Sequence, residues 1–341
     1  MKKQVMIFSL VIFILLATLG TFLILSPRSI PVCGDGTTYN NCSETEPYFC
    51  LNGTLLEKAS ICSCSDFSLV RGEKCFAKYQ LEPKNISLNY TLRGEKGQIN
   101  FTVYKNMSDY LSNIPRYLTP TNGEETTLLD FRLKSLNEKN QRKLLIPLAV
   151  AIKNIAKNQD DQARIAISLV QNIPFGSTNK IVNFLGVGIE YYRYPYEVLY
   201  DMQGVCGEKS ALLVFLLREL GYGTSFLYYS KENHEATGIR CPIEKSLDES
   251  GYCFIETTGP SIITDSQTEY VTGSLTSLPE ILPISGNSVF GETNFYEYND
   301  AKILENIRGV ANDYGAVNYI EHVQFTNLVK KYGLVTFEEE F

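Results

Sequence analysis

A chain of 341 residues, 44% hydrophobic and 20% charged, is long enough for two domains and apolar enough to bury a sizeable core. Its net charge of −7, with no stripe of clustered Lys and Arg, excludes nucleic acid as a partner, because neutralising phosphates needs such a cluster.

Lys2 and Lys3 precede a charge-free run over residues 5–25. As a helix its 21 residues span roughly 31 Å, about one bilayer core. That exceeds the usual apolar stretch of a cleavable signal peptide, about 7–15 residues, and Ser26-Pro27-Arg28 makes a poor cleavage site. An uncleaved transmembrane signal-anchor is therefore preferred to a removed leader. The two lysines hold the N-terminus in the cytoplasm, so a single-pass cell-membrane protein with an extracellular C-terminal part is expected.

Six of the nine cysteines follow at once: Cys33, Cys42, Cys50, Cys62, Cys64 and Cys75. An even count in a short, Gly- and Asn-rich stretch suits a disulfide framework, whose fifteen possible pairings the sequence leaves open. A zinc site is disfavoured, since no C-x-x-C pair occurs and Cys62-x-Cys64 is too tight for the usual ligand spacing. Asn41, Asn52, Asn85, Asn89, Asn100 and Asn106 each fit N-x-[ST], and no later asparagine does. Six clustered acceptor sites point to an exposed, glycosylated N-terminal region.

Residues 84–105 alternate in period two around a turn at 94–97, the pattern of a two-stranded ribbon. An N-capped short helix running into a loop is expected over 108–120, and a longer helical pattern over 128–158, kinked or divided at Pro147. Asp160 and Asp161 supply an N-cap and first-turn charge to a helix over 162–172. Pro195 suits the first position of a short helix through Tyr200. Residues 204–221 then read GVCGEKSALLVFLLRELG. Every residue over 211–217 is apolar, so this helix is buried on most sides, with Gly221 as its stop. Strands are expected over 224–230, 235–241 and 252–257, only weak strand signals over 259–300, and helix again over 302–334.

Cys206 stands at the mouth of the buried helix, where a thiolate is stabilised and low-pKa cysteines occur. A nucleophilic thiol needs a base, and the base an orienting group. The chain has only two histidines. His322 lies inside a helical pattern and reads as a surface or core residue, whereas His234 opens a strand and takes the role of base. Glu256, ending the neighbouring strand, is the acidic candidate.

This order, a cysteine opening a buried helix with His and an acid on consecutive strands, resembles the transglutaminase-like superfamily and its papain-like core. Arg193-Tyr194-Pro195, the short helix at 197–199 and Gly204-Val205-Cys206 are similar to its pattern. RIAISLVQNIPFG at 164–176 and Glu256-Thr257-Thr258 resemble, most closely, exported transglutaminase-like proteins of archaea. The likeness covers roughly residues 164–260 and departs from the family in having Glu rather than the more usual Asp as acid. It implies that Gln171 helps to stabilise the oxyanion. Setting aside the six head cysteines leaves Cys206, Cys241 and Cys253. The last two flank a polar loop and are placed to cross-link a hairpin, which leaves Cys206 unpaired.

The expected fold class is α+β, a transglutaminase-like core preceded by a transmembrane helix and a small disulfide-rich head. The expected units are a signal-anchor at 1–28, a cysteine-rich head at 29–80, a β-ribbon and connector at 81–120, a catalytic domain at 121–300 and a helical extension at 301–341. The expected function is cleavage or transfer at peptide or protein amides through an acyl-thioester, with no cofactor and no metal. The rival reading is an inactive binding or scaffolding module at the cell surface. Substrate, acyl acceptor and oligomeric state are not legible.

Overall fold

The computed structural model describes residues 30–335 apart from 65–67, 78, 119–124, 179, 185–186 and 267–274. The anchor expected at 1–28 lies outside the described residues, as do the last two residues of the helix-and-loop segment expected over 108–120.

The expected fold class needs correction. Among the described residues the chain is a mixed α/β structure, and no helix is long and apolar enough to cross a membrane. No described residue supports the transmembrane helix, the signal-anchor or the single-pass cell-membrane localisation. Four disulfides remain as the mark of an oxidising environment.

In the head, Cys33 pairs with Cys50, Cys42 with Cys62 and Cys64 with Cys75. These bridges tie together two small hairpins, β1 (Tyr48–Leu51) with β2 (Thr54–Glu57) and β3 (Ser68–Arg71) with β4 (Lys74–Ala77), and the helical turn α1 (Ala59–Cys62). The ribbon follows as β5 (Pro83–Leu92) and β6 (Glu95–Tyr104). Its turn is Arg93-Gly94, both at positive φ, rather than 94–97. Gly97 instead lies within β6 opposite Tyr90, where an added Cβ would come within 2.2 Å of the tyrosine ring. Ile86, Leu88, Ile99 and Val103 turn the apolar face of the ribbon into the main core.

Helix α2 (Lys105–Ser112) begins three residues earlier than expected. The pattern over 128–158 divides into α3 (Leu128–Leu136) and α4 (Lys139–Ile155), with Pro147 inside α4. The break falls there because the Glu138 carboxylate accepts the Gln141 N–H at 2.6 Å and caps a new helix. Asn158, rather than the aspartates, caps α5 (Gln159–Gln171) by accepting the Asp161 N–H. A hairpin of β7 (Ile181–Phe184) and β8 (Val187–Glu190) leads to α6 (Pro195–Asp201) and then to α7 (Cys206–Glu219).

Helix α7 is the axis of the core, with every residue from Gly207 to Leu217 buried. It packs on α5 and α6 and against an antiparallel sheet of order β11-β10-β9-β12. The strands are β9 (Thr224–Tyr229), β10 (His234–Arg240), β11 (Tyr252–Ile255) and β12 (Glu280–Ser285). Strand β12 interrupts the region read as weak. It pairs along β9 with an irregularity at Pro283, which removes one donor from the ladder and suits an edge. Helices α8 (Tyr296–Tyr314) and α9 (Tyr319–Tyr332) close the chain, and the boundary expected at 300 falls inside α8.

Cys241 and Cys253 are joined across the β10–β11 hairpin, 12 residues apart. Replacing both with alanine is expected to lower the unfolding free energy by about 3 kcal/mol through the entropy of the open loop. Guanidinium denaturation checks this. An unchanged midpoint would mean that strand pairing alone holds the hairpin.

Candidate active site

The mouth of α7 is built by buried charges. Glu208, three residues past Val205, accepts the Val205 N–H at 2.9 Å, closing the first turn as a capping side chain does. The same carboxylate takes the Arg193 N–H at 2.7 Å and its guanidinium at 2.9 Å, while Arg193 Nε reaches Asp201 at 2.8 Å. The loop before α6 is thereby clamped to the start of α7. Thr257 Oγ1 donates to the Cys206 carbonyl, and Ser210 Oγ lies 3.1 Å from Thr257 Oγ1. The first turn of α7 is thus fixed to the segment just past β11 that carries Glu256.

Cys206 is half-buried and, among the described residues, the one free cysteine. His234 is wholly buried, its Nε2 sits 2.9 Å from Glu256 Oε2, and its ring is hydrogen-bonded to the Cys206 side chain. With Nε2 taken by the carboxylate, Nδ1 is the ring nitrogen left for the sulfur. Glu256 Oε1 accepts the N–H groups of Thr257 (2.8 Å) and Thr258 (2.7 Å), so both oxygens of this buried carboxylate are engaged. Sulfur, imidazole and carboxylate converge from a helix terminus, the first residue of β10 and the residue just past its neighbour β11.

Electrostatics follow from that arrangement. Burial alone would pull the His234 imidazolium down, but the hydrogen bonds to Cys206 and Glu256, and their charges, outweigh it and raise its pKa to about 10. Burial alone would raise Glu256, yet His234 and the Thr258 N–H hold it below its ordinary value. The arrangement can hold a charged imidazole beside a sulfur anion and move one proton between them.

Gln171 does not fit its expected role. Its amide nitrogen donates to the carbonyls of Glu256 (2.9 Å) and Ser261 (3.2 Å), which occupies both hydrogens. Gln171 therefore ties α5 to the backbone of the acid and leaves no donor for an oxyanion. His322 is exposed on α9.

Lys209, one turn past Cys206, was not singled out by sequence. Fully buried, it donates to the carbonyls of Gln171 (3.4 Å), Ile173 (2.5 Å) and Thr258 (3.2 Å). Burial lowers its pKa to about 7, opposed by the Glu256 charge. Arg132, Glu235 and Tyr192 were missed as well. Glu235 is buried and paired with Arg132, whose guanidinium lies 4.4 Å from the Tyr192 ring centre. A carboxylate on the buried face of a period-two strand was the available signal, since it must find a partner. Nothing in the sequence could name one 103 residues away.

No protein-family model matches the chain, and no curated protein does. Among solved structures, Legionella pneumophila LapG in its calcium-bound form is similar over 48% of this chain and 98% of that one, at 11% identity and a TM-score of 0.24. A likeness this slight carries no argument about the site.

Proposed function

We propose that the chain is a transglutaminase-like cysteine enzyme that acts on peptide or protein amides through an acyl-thioester, ending in hydrolysis or in transfer to an amine. The observation that carries this is the buried relay from Cys206 through His234 to Glu256. We assign catalysis to the unit at 121–300, with the 29–80 head, the 81–120 ribbon and the 301–341 extension attached to it.

In this reading the Cys206 sulfur attacks an amide carbonyl and the Cys206 N–H, unpaired at a helix start, faces the developing oxyanion. His234 gives its proton to the leaving amine, and Glu256 keeps the imidazole oriented. Water or a second amine then attacks the thioester, with His234 as the base. Hydrolysis is favoured because no residue set in the sequence marks a dedicated amine pocket. The free thiol supports the reading: in an oxidising environment an unpaired cysteine needs a reason, and nucleophilicity supplies one.

The test is incubation with a peptide library in the presence of hydroxylamine, which traps an acyl-thioester as a hydroxamate, followed by mass spectrometry. The wild type is expected to form hydroxamates and Cys206→Ala none. Identical product profiles from the two proteins would leave a binding module as the better reading.

A further inference from the structure

With Gln171 committed to backbone carbonyls, the proposed reaction has one oxyanion donor, the Cys206 N–H, and needs another. Two buried polar atoms that have no hydrogen-bond partner among the described residues lie beside Gly207, the residue after the nucleophile: the Tyr192 hydroxyl and Glu235 Oε1. Buried polar groups are nearly always paired, so two orphans in one place need an explanation. Both converge on Gly207, the residue after Cys206. A Cβ built there would lie 2.9 Å from the Tyr192 hydroxyl, 3.2 Å from Glu235 Oε1 and 3.3 Å from Arg132 Nη2. Glycine at 207 is what lets the phenol come this close to the helix mouth.

We propose that the Tyr192 hydroxyl is the second oxyanion donor of the Cys206 site. The inference rests on the reading of Cys206 as the nucleophile. As the C–S bond forms, the π electrons of the carbonyl move onto its oxygen. That oxygen receives the Cys206 N–H and the Tyr192 O–H. On collapse the C–N bond breaks, the amine leaves with the proton from His234, and the phenol keeps its own.

The surroundings suit a neutral donor. Burial, opposed by Arg132, carries the Tyr192 phenol well above its ordinary value, so it stays protonated wherever the enzyme works. Arg132 lies 4.4 Å over the ring and draws electron density from it, strengthening the O–H as a donor. Glu235 in turn holds Arg132 through contacts at 3.1 and 2.5 Å, so the phenol is set on a fixed support. Glu235 Oε1 stands across Gly207 as an acceptor, fit to take an N–H of the same amide.

Two reagents separate the roles. Acylation by p-nitrophenyl acetate passes through an oxyanion; alkylation by iodoacetamide does not. Tyr192→Phe removes only the oxygen and keeps the ring on Arg132. The expected result is an acylation rate lowered roughly 10²–10³-fold, the loss typical of one oxyanion donor, with alkylation of Cys206 changed by less than about twofold. Acylation equal to wild type overturns the inference. So does a parallel fall in both rates, which would place Tyr192 on the sulfur instead. Failure of the wild type to react with either reagent would instead sink the nucleophile reading, and the inference with it.

Discussion

Substituting His234 with alanine is expected to slow alkylation of Cys206 by iodoacetamide roughly 10- to 100-fold at neutral pH. A charge within about 4–6 Å shifts an ionisation by 1–3 pKa units, and part of the lost thiolate is offset by higher intrinsic nucleophilicity. The pH profile carries the sharper signature. His234 keeps its proton from the ordinary histidine value of 6.5 up to about 10, so the imidazolium faces the sulfur throughout that window and departs only above it. The wild-type profile is therefore expected to show an inflection near 10, where the imidazolium is lost, and the variant none there. Because the other eight cysteines are in disulfides, the label reports on Cys206. Equal profiles for the two proteins would mean that ring and sulfur are not coupled.

Glu256→Gln is expected to abolish nearly all turnover while leaving the fold intact. The two backbone N–H groups on Oε1 hold an oxygen at that position, so a glutamine would keep its carbonyl there and turn its amide toward His234 Nε2. Nε2 must then accept, and the ring proton moves to Nδ1, the side that faces sulfur. A neutral ring with its proton there has no lone pair for the thiol. Removing the orienting carboxylate of a comparable relay costs about 10⁴-fold in kcat by installing the wrong tautomer, and a loss of that order is expected here. Acylation by p-nitrophenyl acetate measures it, with circular dichroism confirming the fold. A loss under about tenfold would reduce Glu256 to a packing role.

How much of this could be read from the chain alone follows from the range of the forces. The buried helix is legible because apolar residues fill 211–217 without a break, and Gly221 adopts the left-handed φ that ends it. Strands β9, β10 and β11 carry local alternation and a short hairpin. Strand β12 does not, since Pro283 breaks its short apolar run and Glu280 and Ser285 bound it, so it looks like a loop until β9 supplies partners. The helix break at Glu138 escaped because a side-chain cap outranked the more conspicuous Pro147.

The candidate site divides in the same way. Cys206 and His234 stand out by rarity, one thiol left over and one of two histidines. Glu256 follows from strand adjacency. Gln171 was placed by resemblance, and resemblance does not see that its amide is spent on Glu256 and Ser261. Lys209 and the Arg132–Glu235 pair depend on partners 36 to 103 residues away, beyond any local pattern. The membrane anchor rested on an apolar run at 5–25, and no described helix supports a membrane-spanning element.

The central claim is a charged imidazole held between a thiol and a carboxylate. Proton NMR titration of the His322→Gln variant, which leaves His234 as the chain's one histidine, tests it directly. The ring resonances should pass the ordinary value of 6.5 unchanged and titrate near 10. A midpoint at or below 6.5 would contradict the account.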